Sequence, residues 1–209
     1  MFADLMKHQS LVQINRPFIK LLREKFSNRI TIAEYIIARL VHEDVRTAHT
    51  HTCNAATIEN MANKIAIDNR LFRAAEQHPT FELRFSKAEQ VGGIALTYAK
   101  IFKRPGVIFS ASNAGFRDIS VPMYQGFING HPLMLISLYE NDWTPKITPI
   151  HRFIKDAHTV KTSTRFPHAL EYMITLSIQP KPGPIHLEIL NDILADPVDL
   201  EDIEHYPEQ

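Results

Sequence analysis

The sequence predicts an α/β fold of three layers, α/β/α, around a mainly parallel, Rossmann-like sheet of about six strands. Two observations predict it. Short apolar runs at Val107 to Ala111, Leu133 to Leu138 and Ile185 to Leu190 alternate with stretches of ten or more residues at helical spacing. That alternation is the pattern of right-handed crossovers between parallel strands. The runs are also continuous rather than alternating, as expected of strands covered on both faces. With 209 residues, 44% of them hydrophobic and 22% charged, the chain suits one large domain with a substantial core.

The elements follow in order. Residues 11–27 place Leu11, Ile14, Phe18, Leu22 and Phe26 at three-four spacing, an amphipathic helix. Thr31-Ile32-Ala33-Glu34 has the capping-box pattern and opens a second helix through Val41. Val45 to Cys53 reads as a strand and loop, Ala55 to Glu76 as helix, and Phe81 to Phe85 as a short strand. Ala88 to Phe102 is helical, Val107 to Ala111 a buried strand, Ile119 to Ile128 a helix, and Leu133 to Leu138 another buried strand. A loop with prolines (Trp143 to Pro149) leads to a strand near His158 to Lys161. Pro167 to Ile178 is a helix with proline in its first turn, where a missing N–H costs nothing. Ile185 to Leu190 is the last strand, and the chain after Pro197 reads as loosely ordered.

Composition excludes several function classes. Lys and Arg number 23, as do Asp and Glu, for a formal charge of zero, so neither nucleic acid nor a membrane surface is an expected partner. The signs are unevenly spread. The first thirty residues are basic, whereas no Lys or Arg follows Lys181 and acids accumulate to Glu208. These ends suit either two solvated termini or head-to-tail contacts in an assembly. The lone Cys53 rules out an intrachain disulfide and fits a reducing compartment. A start without a signal-peptide pattern and the lack of any span-length apolar run give a cytoplasmic expectation.

No P-loop, GxGxxG or GxSxG motif occurs, so the usual phosphate cradles and nucleophile elbow are not expected. His49, His51 and Cys53 would share one face of an extended strand, and their donor types suit zinc. No fourth ligand is apparent, and polar residues at a loop edge explain the same pattern.

Larger motifs carry a resemblance. Glu89-Gln90-Val91-Gly92-Gly93-Ile94-Ala95-Leu96-Thr97-Tyr98-Ala99-Lys100 precedes Arg104-Pro105-Gly106-Val107. Farther on, Lys181-Pro182-Gly183-Pro184-Ile185-His186-Leu187-Glu188-Ile189 closes the run. Over roughly residues 30 to 195 this layout resembles the N-terminal pyrimidine-binding (PYR) domain of thiamine-diphosphate-dependent enzymes of the acetolactate synthase and pyruvate oxidase type. The resemblance divides the chain into an N-terminal helical extension (1–29), a PYR-like domain (30–195) and an acidic tail (196–209).

In that family a Glu on this helix hydrogen-bonds the cofactor's aminopyrimidine and shifts it toward the imino form that takes the thiazolium proton. Counting back without a gap from Tyr98-Ala99 puts the family's Glu at Ala88. A one-residue adjustment where strand meets helix puts it on Glu89, and one residue turns a helical side chain by about 100°. Of the family's Ser/Thr-Gly-Pro-Gly turn only Gly115 remains, with Asp118 where the family has Asn. The Gly-Asp-Gly motif of the diphosphate domain is absent from the sequence, and with it the magnesium ligands.

The resemblance therefore implies a stand-alone PYR-like domain that is not catalytic by itself and acts as a binding, scaffold or structural protein. Its cofactor-binding residues would be Glu89, Gly115 and Asp118, with thiamine diphosphate the cofactor. The alternative it implies is the pyrimidine-binding subunit of a two-chain decarboxylase or synthase acting on 2-oxo acids, with a separate diphosphate-domain subunit. Family members pair through helices flanking the sheet, so a homodimer is expected.

Overall fold

The structure, a computed structural model, describes residues 16–26, 29–51, 70–111, 116–139, 152–179 and 181–200. Six strands form one parallel sheet in the order β3-β2-β4-β5-β7-β6. They are β2 (Thr47–His51), β3 (Glu82–Ser86), β4 (Gly106–Ala111), β5 (Leu133–Tyr139), β6 (Ala157–Val160) and β7 (Ile185–Leu190). A two-residue strand, β1 (Ile30–Thr31), pairs antiparallel with β8 (Pro197–Val198) outside the main sheet.

Six helices are described: α1 (Arg16–Phe26), α2 (Ile32–His42), α3 (Arg70–Gln77), α4 (Ala88–Phe102), α5 (Phe116–Asn129) and α6 (Phe166–Ile178). Helices α1, α2, α3 and α6 share one core with the sheet, built on Phe18, Tyr35, Ile36, Leu71, Phe109, Ile136, Leu170 and Leu187. Helices α4 and α5 cover the opposite face over a smaller core of Val91, Ala95, Ile108, Ile119, Met123 and Leu135. The result is the expected three-layer α/β/α arrangement.

Local chemistry explains the element boundaries. The capping box at α2 forms as its sequence implies: Glu34 N–H donates to Thr31 Oγ1 at 3.3 Å, and Thr31 N–H donates to Glu34 Oε2 at 2.9 Å. Both donors would otherwise be orphaned at a helix start. Helix α4 ends at Lys103, whose φ of 55° lies in the left-handed region, and the chain turns there into Pro105 and β4. Gly106 is needed because a Cβ would lie 2.1 Å from the Ala95 carbonyl oxygen. Within the α4–α5 pair, a Cβ on Gly92 would meet Pro122 Cγ at 2.6 Å, so glycine lets the two helices approach.

Three expectations are modified. Within the segment assigned to an N-terminal extension, helix α1 enters the main core through Phe18, Ile19 and Leu22, all fully buried. Residues 198–200, expected to be loosely ordered, are tied down: Val198 and Leu200 are buried, and Arg23 donates to the Leu200 carbonyl at 2.7 Å. A nearly continuous apolar strand holds for β5, but β7 alternates, with the buried polar His186 and Glu188 between apolar residues, and β2 is polar on one face. The helix expected over 55–76 is described only from Arg70 onward. Residues 1–15, Cys53, the Trp143 to Pro149 loop and the acidic residues beyond Leu200 lie outside the described residues.

A buried ion pair links the helices of the main core. Arg39 on α2 contacts Glu171 on α6 with Nε–Oε1 at 2.5 Å and Nη2–Oε2 at 2.9 Å. Its Nη1 reaches Glu43 at 2.5 Å, and its guanidinium lies 5.3 Å from the Phe18 ring centroid. The Tyr35 hydroxyl donates to Glu171 at 3.4 Å, and burial together with Glu171 pushes that phenol well above its usual pKa.

Candidate functional site

A parallel sheet with helices on both faces offers ligands the crevice at the carboxyl ends of its strands, where connections diverge. Here β2 leads outward to β3, whereas β4 leads inward to β5. The switch point therefore lies between the carboxyl ends of β2 and β4. Helices α4 and α5 both begin at this edge, on the same face. Glu89 stands in the first turn of α4 and Asp118 in the first turn of α5, both exposed. An acid there is favoured by the helix dipole whatever else it does. Ala88, the other register for the family's Glu, is half-buried beside Glu89. Gly115 lies outside the described residues, as do Ser112 to Ala114.

The His-x-His-x-Cys pattern divides differently. His49 is 2% exposed and points to the α4 side of the sheet, in register with Arg84 on β3 and Ile108 on β4. Its ring lies edge-on to Tyr98 of α4, 6.2 Å between centroids. Cys53 and the side chain of His51 are outside the described residues. Among the described residues no cluster of three or more His, Cys, Asp or Glu side chains is placed to hold a metal ion.

Next to His49 the helical layer stops short of the sheet's edge. Helix α4 crosses β2 and leaves β3 partly bare, opening a groove of about 1100 Å³. Alternation along the strands makes its floor polar, because Thr47 and His49 on β2 face the same side as Glu82 and Arg84 on β3. The wall is the side of α4 that carries Ile94, Tyr98, Ile101 and Phe102, and Glu89 lies at its upper end. The Tyr98 and Phe102 rings lie against each other at a tilt of 39°, with centroids 4.7 Å apart.

The electrostatics of the groove are lopsided. Arg84 pairs with Glu82 at 2.8 Å. Asp44 serves two arginines, Arg46 at 3.2 Å and Arg104 at 3.8 Å, so the lower end carries excess positive charge. Burial, reinforced by the Arg84 guanidinium, holds the His49 imidazole below its ordinary pKa, which keeps it neutral at pH 7 with one N–H donor and one acceptor nitrogen. Neither of its ring nitrogens, nor Thr47 Oγ1, has a hydrogen-bond partner among the described residues.

Sequence reasoning singled out Glu89 and His49 but missed Thr47, Arg84 and Tyr98. The signal was present for β2: Thr47, His49 and His51 alternate with Ala48 and Thr50, a polar face where a covered strand should be apolar.

A second surface feature lies on α5. Val121, Tyr124 and Ile128 recur at three- and four-residue spacing and are 60%, 44% and 52% exposed. Helix α5 thus buries Ile119 and Met123 against the sheet and presents an apolar stripe outward. No protein-family model and no curated protein matches this chain.

Proposed function

We propose that this chain is a PYR-like module that does no chemistry by itself and works by association, pairing with a second copy through the outer face of α5. The observation that carries this reading is the exposed stripe of Val121, Tyr124 and Ile128. A helix already packed on its sheet gains nothing from apolar residues on its solvent side, and such stripes mark helix–helix interfaces. Two copies related by a two-fold axis would lay the stripes against each other. Glu89 supports the non-catalytic half of the reading, because it is exposed to water rather than held in the apolar surroundings that tune a carboxyl group for proton exchange.

Analytical ultracentrifugation tests the pairing. The chain should sediment as a dimer, and Val121→Glu with Ile128→Glu should convert it to a monomer with unchanged helical circular dichroism. A wild-type monomer at about 100 µM, a concentration well above typical dimer dissociation constants, would refute it.

The second reading is the pyrimidine-binding subunit of a two-chain thiamine-diphosphate enzyme acting on 2-oxo acids. The position of Glu89, in the first turn of the helix following β3 at the carboxyl edge of the sheet, favours it. Calorimetry with thiamine diphosphate and magnesium separates the two. Binding of the coenzyme that is lost in Glu89→Gln would favour the subunit; absence of binding favours the association module.

A further inference from the structure

We infer that the groove between α4 and the β2–β3 edge is a binding site for a small organic acid. Its carboxylate would be received by Thr47, His49 and Arg84, and its flat apolar body would lie along Ile94, Tyr98 and Phe102. No residue of α5 lines the groove, so this inference stands apart from the pairing surface.

The hydrogen bonding of the groove floor is incomplete. Thr47 is 7% exposed and His49 2%, yet the Thr47 hydroxyl and both imidazole nitrogens lack partners among the described residues. A buried polar group left unpaired costs about 1–3 kcal/mol, and two occur two residues apart on one strand. A fold gains nothing by this arrangement, since valine and leucine would fill the same places without penalty. Sites built to hydrogen-bond a ligand do carry such groups, and they discriminate by them.

The donor types on the floor suit an anion. The Thr47 hydroxyl and a neutral His49 N–H lie on the same face of β2, with the exposed Arg84 guanidinium, one side of which is taken by Glu82, beside His49 on β3; a carboxylate is an acceptor-only group that takes several such donors at once. Arg46 and Arg104, sharing the single carboxylate of Asp44, add positive potential at the groove's lower end and favour an anion over a cation. The wall supplies what the body of the ligand needs: two aromatic rings in contact and the exposed Ile94 and Ile101. Apolar walls with a few convergent polar groups are the usual make-up of a small-molecule site.

Tyr98 closes the floor. Its ring lies edge-on to His49, and the imidazole nitrogens are shielded from solvent, so the ligand reaches them only when the Tyr98 side chain swings aside. A side-chain rotation of this kind is common on binding and requires no backbone movement.

Benzoate is the probe, compared by ligand-observed NMR with benzamide, which has the same body without the charge, and with acetate, which has the charge without the body. Benzoate is expected to bind with a Kd below about 1 mM, at least tenfold tighter than either comparison compound. Arg84→Gln, at an exposed position, and Thr47→Val, which preserves shape, should each weaken it at least tenfold. Thr47→Val should also leave the melting temperature unchanged or raised, because it removes an unpaired hydroxyl. Four results would overturn the proposal: no benzoate binding up to about 10 mM, equal affinity for benzamide or acetate, variants that bind as well as the wild type, or a Thr47→Val protein that melts lower, which would show the hydroxyl already bonded within the fold.

Discussion

Glu171→Gln removes one charge from the most deeply placed ion pair described in this protein, and the size of the loss follows from its surroundings. The Arg39 and Glu171 side chains are 5% and 4% exposed and joined by two contacts, at 2.5 and 2.9 Å. Deleting one partner of a buried pair typically costs 3–5 kcal/mol, because the other charge stays buried and uncompensated. Here Glu43, 24% exposed and 2.5 Å from Arg39 Nη1, retains part of the compensation, so the lower end applies, about 3 kcal/mol. With a urea m-value of about 3 kcal/mol/M for a chain of this size, the denaturation midpoint should fall by about 1 M. Arg39→Met combined with Glu171→Leu should recover most of that loss, since an apolar pair of similar volume removes the stranded charge. Refutation would come from a single variant within about 0.5 kcal/mol of wild type, or from a double variant less stable than the single.

Other outcomes follow from the same structure. His42, His49, His78, His131, His158 and His168 all have lowered pKa values, with burial the leading cause. The unfolded chain then binds more protons than the folded one below about pH 6.5, so stability should drop as pH falls through that value; urea midpoints at pH 7.5 and 5.5 measure it, and His49→Leu should flatten the slope. Tyr172 donates to Asp156 at 3.0 Å, and burial with that carboxylate pushes its pKa up to about 12. Its share of stability is present below pH 10 and lost as pH rises toward 12, and ultraviolet titration should show late-ionising phenols, one fewer of them in Tyr172→Phe. Gly106→Ala should destabilise by about 3 kcal/mol, since its Cβ would strike backbone at Ala95. Gly93→Ala, with nothing within 4 Å of the new Cβ, should stabilise by about 0.5–1 kcal/mol in a helix interior; thermal melts of the two variants check both signs.

What the sequence made legible was local. Helix α4 and strand β7 run over the residues their patterns indicate, and the Thr31–Glu34 box was readable because its partners sit three residues apart. Long-range closure was not readable. Nothing in the composition of residues 16–26 says that Phe18 and Leu22 enter the same core as Leu170, and the acidic content past residue 195 masks the anchoring of Val198 and Leu200. The Arg39–Glu171 pair spans 132 positions, and each partner alone looks like an ordinary surface charge on a helix. At the candidate site, Glu89 could be placed in the first turn of its helix, but whether that turn is enclosed depends on how far α4 reaches across the sheet. The groove arises from the same cause: β3 lies beyond the helix that should cover it, a relation between elements rather than a property of either.

Strand β7 is the last of the six to be made, yet it sits between β5 and β6 and hydrogen-bonds to both. Until residues 185–190 leave the ribosome, β5 has an open flank of seven buried apolar and small residues, and β6 has nothing to hold it. The nascent chain can assemble β2 through β5, but must carry that unsealed flank until β7 emerges, and an unpaired strand edge invites strand-to-strand misassociation. Synthesis stalled shortly before Ile185 should therefore yield a species that recruits chaperones, whereas one released a few residues after Leu200 should not.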